Sequence, residues 1–423
     1  MRLTFPRSLA LLVVVFAGLS RAQPAGNDAP QLMAATAWAD ITPPLGHPMG
    51  GYGNRKGGVA SVHDPLRARV LVLKSGEESV AIVTCDLRSF VADRIRERVR
   101  RQSGIRHLLV SSSHTHSGPL TWELRSPWYA ETEDKIVAAV AEAASRLEPV
   151  MVGVERGSVY LGHNRRKIGA NGKAAMFWRN ENEEPTSPVD PTVTVLRFDT
   201  VTGKTLALIV HYACHAVVLG PDNLAVSGDY PAAMAAEVER TLGGGVQCMF
   251  WQGAAGDTNV YKDKQPVAEG AFEEVERVGR TLAGEVLKVN QRIQPAAAPP
   301  LRVSAELVEL QNRWEPQKTI EAGISALTLG QQFAVLTMPG EPFIELQMAF
   351  RDRAELPHAL LVGYTSGAGN DWIGYIPTIE AAVSGGYGAS YNTTVEVGAG
   401  ERLLLRGLVL IYEQLGWLKE VPR

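Results

Sequence analysis

Residues 107–119 read HLLVSSSHTHSGP. The apolar run is too short for a helix and rich in Leu and Val, which predicts a buried strand. His114 and His116 follow at once, so this strand is expected to deliver chemistry at its carboxyl end. The same layout recurs in both directions along the chain. SVAIVTC is followed by Asp86, ALIVHYA by Cys214 and His215, VQCMFWQ by Gly253-Ala254-Ala255-Gly256-Asp257, and FAVLTM by Pro339-Gly340-Glu341. Between and beyond such runs lie VADRIRERVRRQ, YAETEDKIVAAVAEAASRL, PAAMAAEVERTL, EGAFEEVERVGRTLAGEVLKVN, PFIELQMAFRDRA and ERLLLRGLVLIYEQLGWLK. All carry apolar residues at the three- and four-residue spacing of an amphipathic helix. Strands interleaved with helices predict an α/β protein with a mixed, largely covered β-sheet and flanking helices, as one domain over residues 36–423. No repeat is legible, and QPAAAPPLRV near residue 300 is the best candidate linker. In open α/β sheets a ligand sits beyond the carboxyl ends of the strands, so the His, Asp and Glu residues there are expected to share one site.

The chain has 423 residues, of which 45% are hydrophobic and 21% charged, the composition of a globular protein with a large core. Residues 1–22 carry Arg2 and Arg7, then LALLVVVFAGLS, then small residues ending at Ala22, the pattern of a secretory signal peptide. Its apolar run is too short to span a membrane. The expected mature protein is secreted or periplasmic, without a transmembrane segment, and starts with a flexible leader over 23–35. The net charge is −3, and −6 once Arg2, Arg7 and Arg21 are removed, which argues against nucleic-acid binding. Cys85, Cys214 and Cys248 all lie in apolar stretches and read as buried thiols rather than as a disulfide framework.

Several site residues also have a plain structural reading. His114 and His116, two apart, face one way in an extended segment, as zinc ligands often do. His211 and His215 share a face in helix or strand, though one of such a pair is often a core imidazole bonded to backbone. Glu341 suits the first turn of a helix and Asp229 an N-cap. Trp122, Trp128, Trp251 and Trp372 flank the motifs, either as core or as the walls of an apolar or sugar-stacking pocket. Glu123 lies just beyond HTHSGP, close enough to join the site.

Taken together, DITPP (40–44), PMGGYG (48–53), DPLRARVLVL (64–73), SSSHTHSGP (111–119), HNRR (163–166), CHAVVLG (214–220), SGDYP (227–231), QGAAGD (252–257), PGE (339–341) and GYIPT (374–378) resemble the catalytic domain of the neutral, non-lysosomal ceramidases. The resemblance implies a zinc amidohydrolase acting on an N-acylsphingosine-like lipid amide. It implies His114, His215, Glu341 and Tyr375 as zinc ligands, a donor set suited to Zn²⁺. It implies His116, Arg165 and Tyr387 around the substrate amide or the developing oxyanion, with Asp257 of the Gly-Asp element among the catalytic residues. The sequence departs from the family in that element: Gly256-Asp257-Thr258-Asn259-Val260 has Asn259 where a serine is expected, with Thr258 the only nearby hydroxyl. The further β-sandwich domain of the family has no counterpart before Arg423. Two other functions therefore stand beside ceramide hydrolysis: the same metal chemistry on another amide or ester, such as an acylated sugar, and an exported binding protein without turnover.

Overall fold

The computed structural model describes residues 30–366 and 372–418; the expected signal peptide and most of the expected leader lie outside them. The end of that leader is not flexible: Met33, Ala34 and Ala35 pair with Lys74, Leu73 and Val72 in the first strand.

The strands and helices follow one order three times. The first unit is β1 (Met33–Asp40), β2 (Arg67–Ser75), β3 (Glu78–Cys85), α1 (Asp93–Ser103), β4 (His107–Ser112) and α2 (Pro127–Ala144). The second is β5 (Glu148–Ser158), β6 (Thr192–Thr200), β7 (Thr205–Tyr212), α3 (Asp229–Leu242), β8 (Gln247–Gln252) and α4 (Ala271–Arg292). The third is β9 (Leu301–Gln311), β10 (Thr319–Leu329), β11 (Phe333–Thr337), α5 (Ile344–Arg353), β12 (His358–Val362) and α6 (Ala399–Gln414). In each unit the first three strands are antiparallel neighbours, and a helical crossover lays the fourth parallel to the third. Units one and two join edge to edge through Met33↔Pro149 and Ala34↔Glu148, while the third forms a separate four-stranded sheet.

Packing explains why the predicted strands read as continuous apolar runs. Side chains alternate between faces along a strand, and here both faces are covered. In β2, Val70 and Val72 face α1 and α2, whereas Leu71 and Leu73 face a core shared by all three units. Phe198, Ile209 and Trp251 enter that core from the second unit, and Leu327, Phe333 and Val335 from the third. The helices of units two and three cover their own sheets from outside, through residues such as Met234 and Leu282, or Leu346 and Leu403. The predicted α/β class with flanking helices therefore holds, with the strands divided between two sheets packed on one core. The proposed linker connects them: Ala296–Ala297 pair with β5, and Leu301 opens β9.

The three cysteines are buried and free. Trp128 and Trp251 are core residues, the former donating Nε1–H to the Ile41 carbonyl at 3.0 Å. Among the described residues no helix is long and apolar enough to cross a membrane.

Candidate metal centre

The carboxyl ends of the parallel strands meet. Gln252, closing β8, donates through Nε2 to the carbonyls of Ser113 (3.0 Å) and Cys214 (2.8 Å) and accepts from Gly363 N–H. Ser112 N–H in turn donates to the Tyr364 carbonyl at 3.0 Å. The loops after β4, β7, β8 and β12 are thereby locked to one another. His114 and Tyr364, each two residues past its strand, both adopt left-handed backbone, φ 64° and 57°. That conformation costs about 1–3 kcal/mol and persists where surrounding structure imposes it, commonly at functional sites. Their rings lie 4.4 Å apart.

The hydrogen bonds fix which nitrogens are free. His114 Nδ1 is 2.8 Å from the Arg88 carbonyl, and His215 Nδ1 is 2.5 Å from that of Ala255. A carbonyl only accepts, so both Nδ1 atoms carry the proton and both Nε2 atoms present lone pairs. Those lone pairs face Glu341 Oε2 at 3.4 and 3.1 Å. Burial holds His215 neutral, its pKa lowered to about 4. Three acceptors converging with no proton between them are what a cation requires. His116 stands next to them, its Nε2 3.2 Å from that of His114, so the ligand atoms of His114, His116 and His215 all lie within 4.8 Å. Burial, then His114 and Arg88, push the His116 imidazole well below its ordinary pKa, leaving it neutral.

Tyr375 reaches this centre through backbone: Glu341–Pro342 and Tyr375–Ile376 form a two-residue parallel ladder, Glu341 opposite Tyr375. Its hydroxyl lies 3.2 Å from Arg165 Nη2. Burial and the Glu341 charge push that phenol well above its ordinary pKa, against the pull of Arg165. Arg165 also donates to the Gly256 carbonyl (2.6 Å) and to Asn259 Oδ1 (3.0 Å), and stacks on Trp178, Tyr375 and Tyr387. Its Nε has no partner among the described residues. Asn259, at the expected serine position, orients this guanidinium, and its amide is fixed by Asp263 at 2.8 Å. Thr258 Oγ1 is buried without a partner.

Asp257 stands behind Arg165 rather than beside the imidazoles. Its carboxylate accepts from Asn164 Nδ2 (2.8 Å) and from Ile344 N–H (2.9 Å) at the start of α5, and its carbonyl accepts from Arg165 N–H. These bonds tie the Arg165 backbone to the start of α5. Asp257→Ala is expected to destabilise the protein by about 1–3 kcal/mol by leaving those donors unpaired, and to slow turnover through a displaced Arg165. Chemical denaturation and steady-state kinetics measure the two losses. Gly256 is small for the same reason of proximity: a Cβ there would meet the Glu341 carbonyl at 2.4 Å.

Other strand-end residues turn away. Asp86 pairs with Arg69 at 3.0 Å and accepts from Arg67 N–H. His211 is a core imidazole 2.9 Å from the Leu361 carbonyl. Asp229 begins α3, accepting from Tyr230 and Leu219 N–H. Glu123 is exposed. A cavity of about 400 Å³ opens beside the imidazoles, lined by Tyr52, His116, Arg165, Trp178, Tyr375 and Tyr387 among others. Tyr52 lies within the quoted PMGGYG motif. Trp178 and Arg88 carried no signal in the sequence.

Fold and site together define a two-sheet α/β protein whose βα loops assemble a buried histidine–carboxylate centre. The chain belongs to the neutral/alkaline non-lysosomal ceramidase family, whose amino-terminal model matches residues 33–260. It is 26% identical over 220 residues to a neutral ceramidase of Mycobacterium tuberculosis (strain ATCC 25618 / H37Rv), covering 46% of this chain and 33% of that protein. It is 26% identical over 202 residues to neutral ceramidase B of Dictyostelium discoideum, covering 42% and 27%. The chain thus spans a third or less of the curated relatives it matches. The crystal structure of neutral ceramidase from Pseudomonas aeruginosa superposes with a TM-score of 0.75 at 15% identity, covering 93% of this chain and 76% of that one, a likeness of fold.

Proposed function

We propose that the protein is an exported zinc-dependent hydrolase that cleaves an amide by attack of water on its carbonyl. The observation that carries this reading is the convergence of His114 Nε2, His215 Nε2 and Glu341 Oε2 with no proton to share. These three, with Tyr375 beside Glu341, would hold the metal, and His116 is a further imidazole within reach. Bound zinc supplies Lewis acidity and an activated water. The chain supplies the rest. Arg165, whose guanidinium is fixed by Gly256 and Asn259 on the cavity wall, stabilises a carbonyl oxygen as charge develops on it, with Tyr387 next to it. Neutral His116 takes a proton from the attacking water and returns it to the departing amine.

The family points to an N-acylsphingosine-like lipid amide. A second reading, another amide or ester with a polar acyl acceptor, is favoured by the cavity. At about 400 Å³ it is small, and Arg165, Arg179, Lys264 and Asp263 stand among its aromatic walls. Metal analysis of the purified protein, followed by incubation with labelled ceramide and with a panel of N-acyl sugars, tests both. Protein without zinc defeats the metal reading; fatty acid released from ceramide alone rejects the second substrate class.

A further inference from the structure

We propose that Arg88 is an anion-recognition residue of this site, so that compounds processed there carry a carboxylate or similar anionic group near the scissile amide. The proposal rests on the amide-hydrolase reading and narrows its substrate class.

Arg88 lies three residues past β3, where His215 lies three residues past β7, so the repeated topology brings it to the same centre. Its carbonyl fixes the His114 imidazole. Its guanidinium lies over the rings of Trp122, at 4.5 Å, and Trp372, at 5.9 Å, and Trp372 also stacks on His114. Nη2 is 3.9 Å from Glu341 Oε1, too far for a hydrogen bond. Nε and Nη1 are buried and have no partner among the described residues. The side chain is only 16% exposed.

A buried donor left unpaired costs about 1–3 kcal/mol, and more when charged. Nε and Nη1 being enclosed, Nη2 is the donor left for a ligand, and a guanidinium steadied against two aromatic rings is preorganised for an acceptor that meets it there. The surrounding charges bear on that acceptor. Asp257 and Asp263 lie on the Arg165 side, whereas the carboxylate nearest Arg88 among the described residues is Glu341 at 3.9 Å, which a bound cation would engage. Arg165 already serves a neutral carbonyl, so the second guanidinium matches an anion, the partner with which arginine forms its strongest hydrogen bonds. An uncharged lipid amide would leave Arg88 unmet.

N-Dodecanoylglycine and N-dodecanoylglycinamide differ only by that charge and release the same fatty acid. The zinc-loaded protein is expected to prefer the carboxylate in kcat/KM by about tenfold or more, mainly through KM, as a charge-assisted hydrogen bond implies. Arg88→Gln should abolish most of that preference and Arg88→Lys should keep part of it. Equal kcat/KM for the two compounds, or a ratio unchanged in Arg88→Gln, overturns the proposal. Binding is read separately from tryptophan fluorescence in chelator-treated protein, where no metal competes for the carboxylate. Tighter saturable binding of the acid than of the carboxamide, lost in Arg88→Gln, is expected; equal binding of the two overturns the proposal. If neither compound is cleaved, the titration decides the role of Arg88, while the amide-hydrolase reading stands or falls with the ceramide and N-acyl sugar incubations.

Discussion

His215→Ala protein is expected to purify without stoichiometric zinc and without amidase activity, while its circular dichroism stays native. Among the described residues His215 and His114 are the imidazoles that face Glu341 with their Nδ1 protons committed to backbone carbonyls. Losing even an outer partner of a metal ligand typically weakens metal binding by about 10–100-fold, so loss of a direct ligand should exceed that. Glu341→Gln should behave alike, because it removes the carboxylate that faces both Nε2 atoms. Elemental analysis and titration with a chromogenic zinc chelator read both variants. Full zinc retention in His215→Ala would remove this residue from the centre and with it the four-ligand arrangement.

Arg165→Met is expected to keep its zinc and lose about 10²–10³ in kcat, the usual consequence of deleting one donor to a developing oxyanion. Burial alone would weaken the charge on Arg165, but Tyr375, Glu341 and Tyr387 outweigh it, so the guanidinium is charged whenever the site is intact. Arg165→Lys should recover little. A single ammonium cannot serve the Gly256 carbonyl, Asn259 and Tyr375 while leaving a donor free for substrate. The KM-against-kcat split decides the assignment. A rise in KM alone would make Arg165 a binding residue, and zinc loss would make it a support of Tyr375.

The strands legible in the sequence were those buried on both faces, because a continuous apolar run such as RVLVL survives whichever way each residue points. β1, β5, β9 and β10 were missed: MAATAWAD is built on alanine, LRVSAELVELQ alternates exposed Leu307 and Glu309 with buried Val308 and Leu310, and TIEAGISALTL, though buried from Ala322 to Leu329, mixes Gly, Ser and Thr into its apolar run. The division into two sheets was invisible since periodicity reports that a face is buried, not against what. The repeat was invisible too, because its copies share element order rather than residues. At the site, strand-end placement singled out His114, His215 and Glu341 on physical grounds. Arg165, Tyr375 and Tyr387 sit in long connections without such a signal and were reached only through family resemblance. Asp86, at the strand end, turns back to Arg69, whereas Arg88 two residues on reaches within 3.9 Å of Glu341.

Units one and two pair edge to edge while the third stands as its own sheet, so three copies of one topology meet at the site without being equivalent by symmetry. Because all three belong to one chain, each copy's loop varies on its own. The loop after the third strand of each unit carries Arg88, His215 or the Glu341 segment, so one repeated topology brings three chemically different side chains together, with Arg88 and His215 3.9 and 3.1 Å from the Glu341 carboxylate.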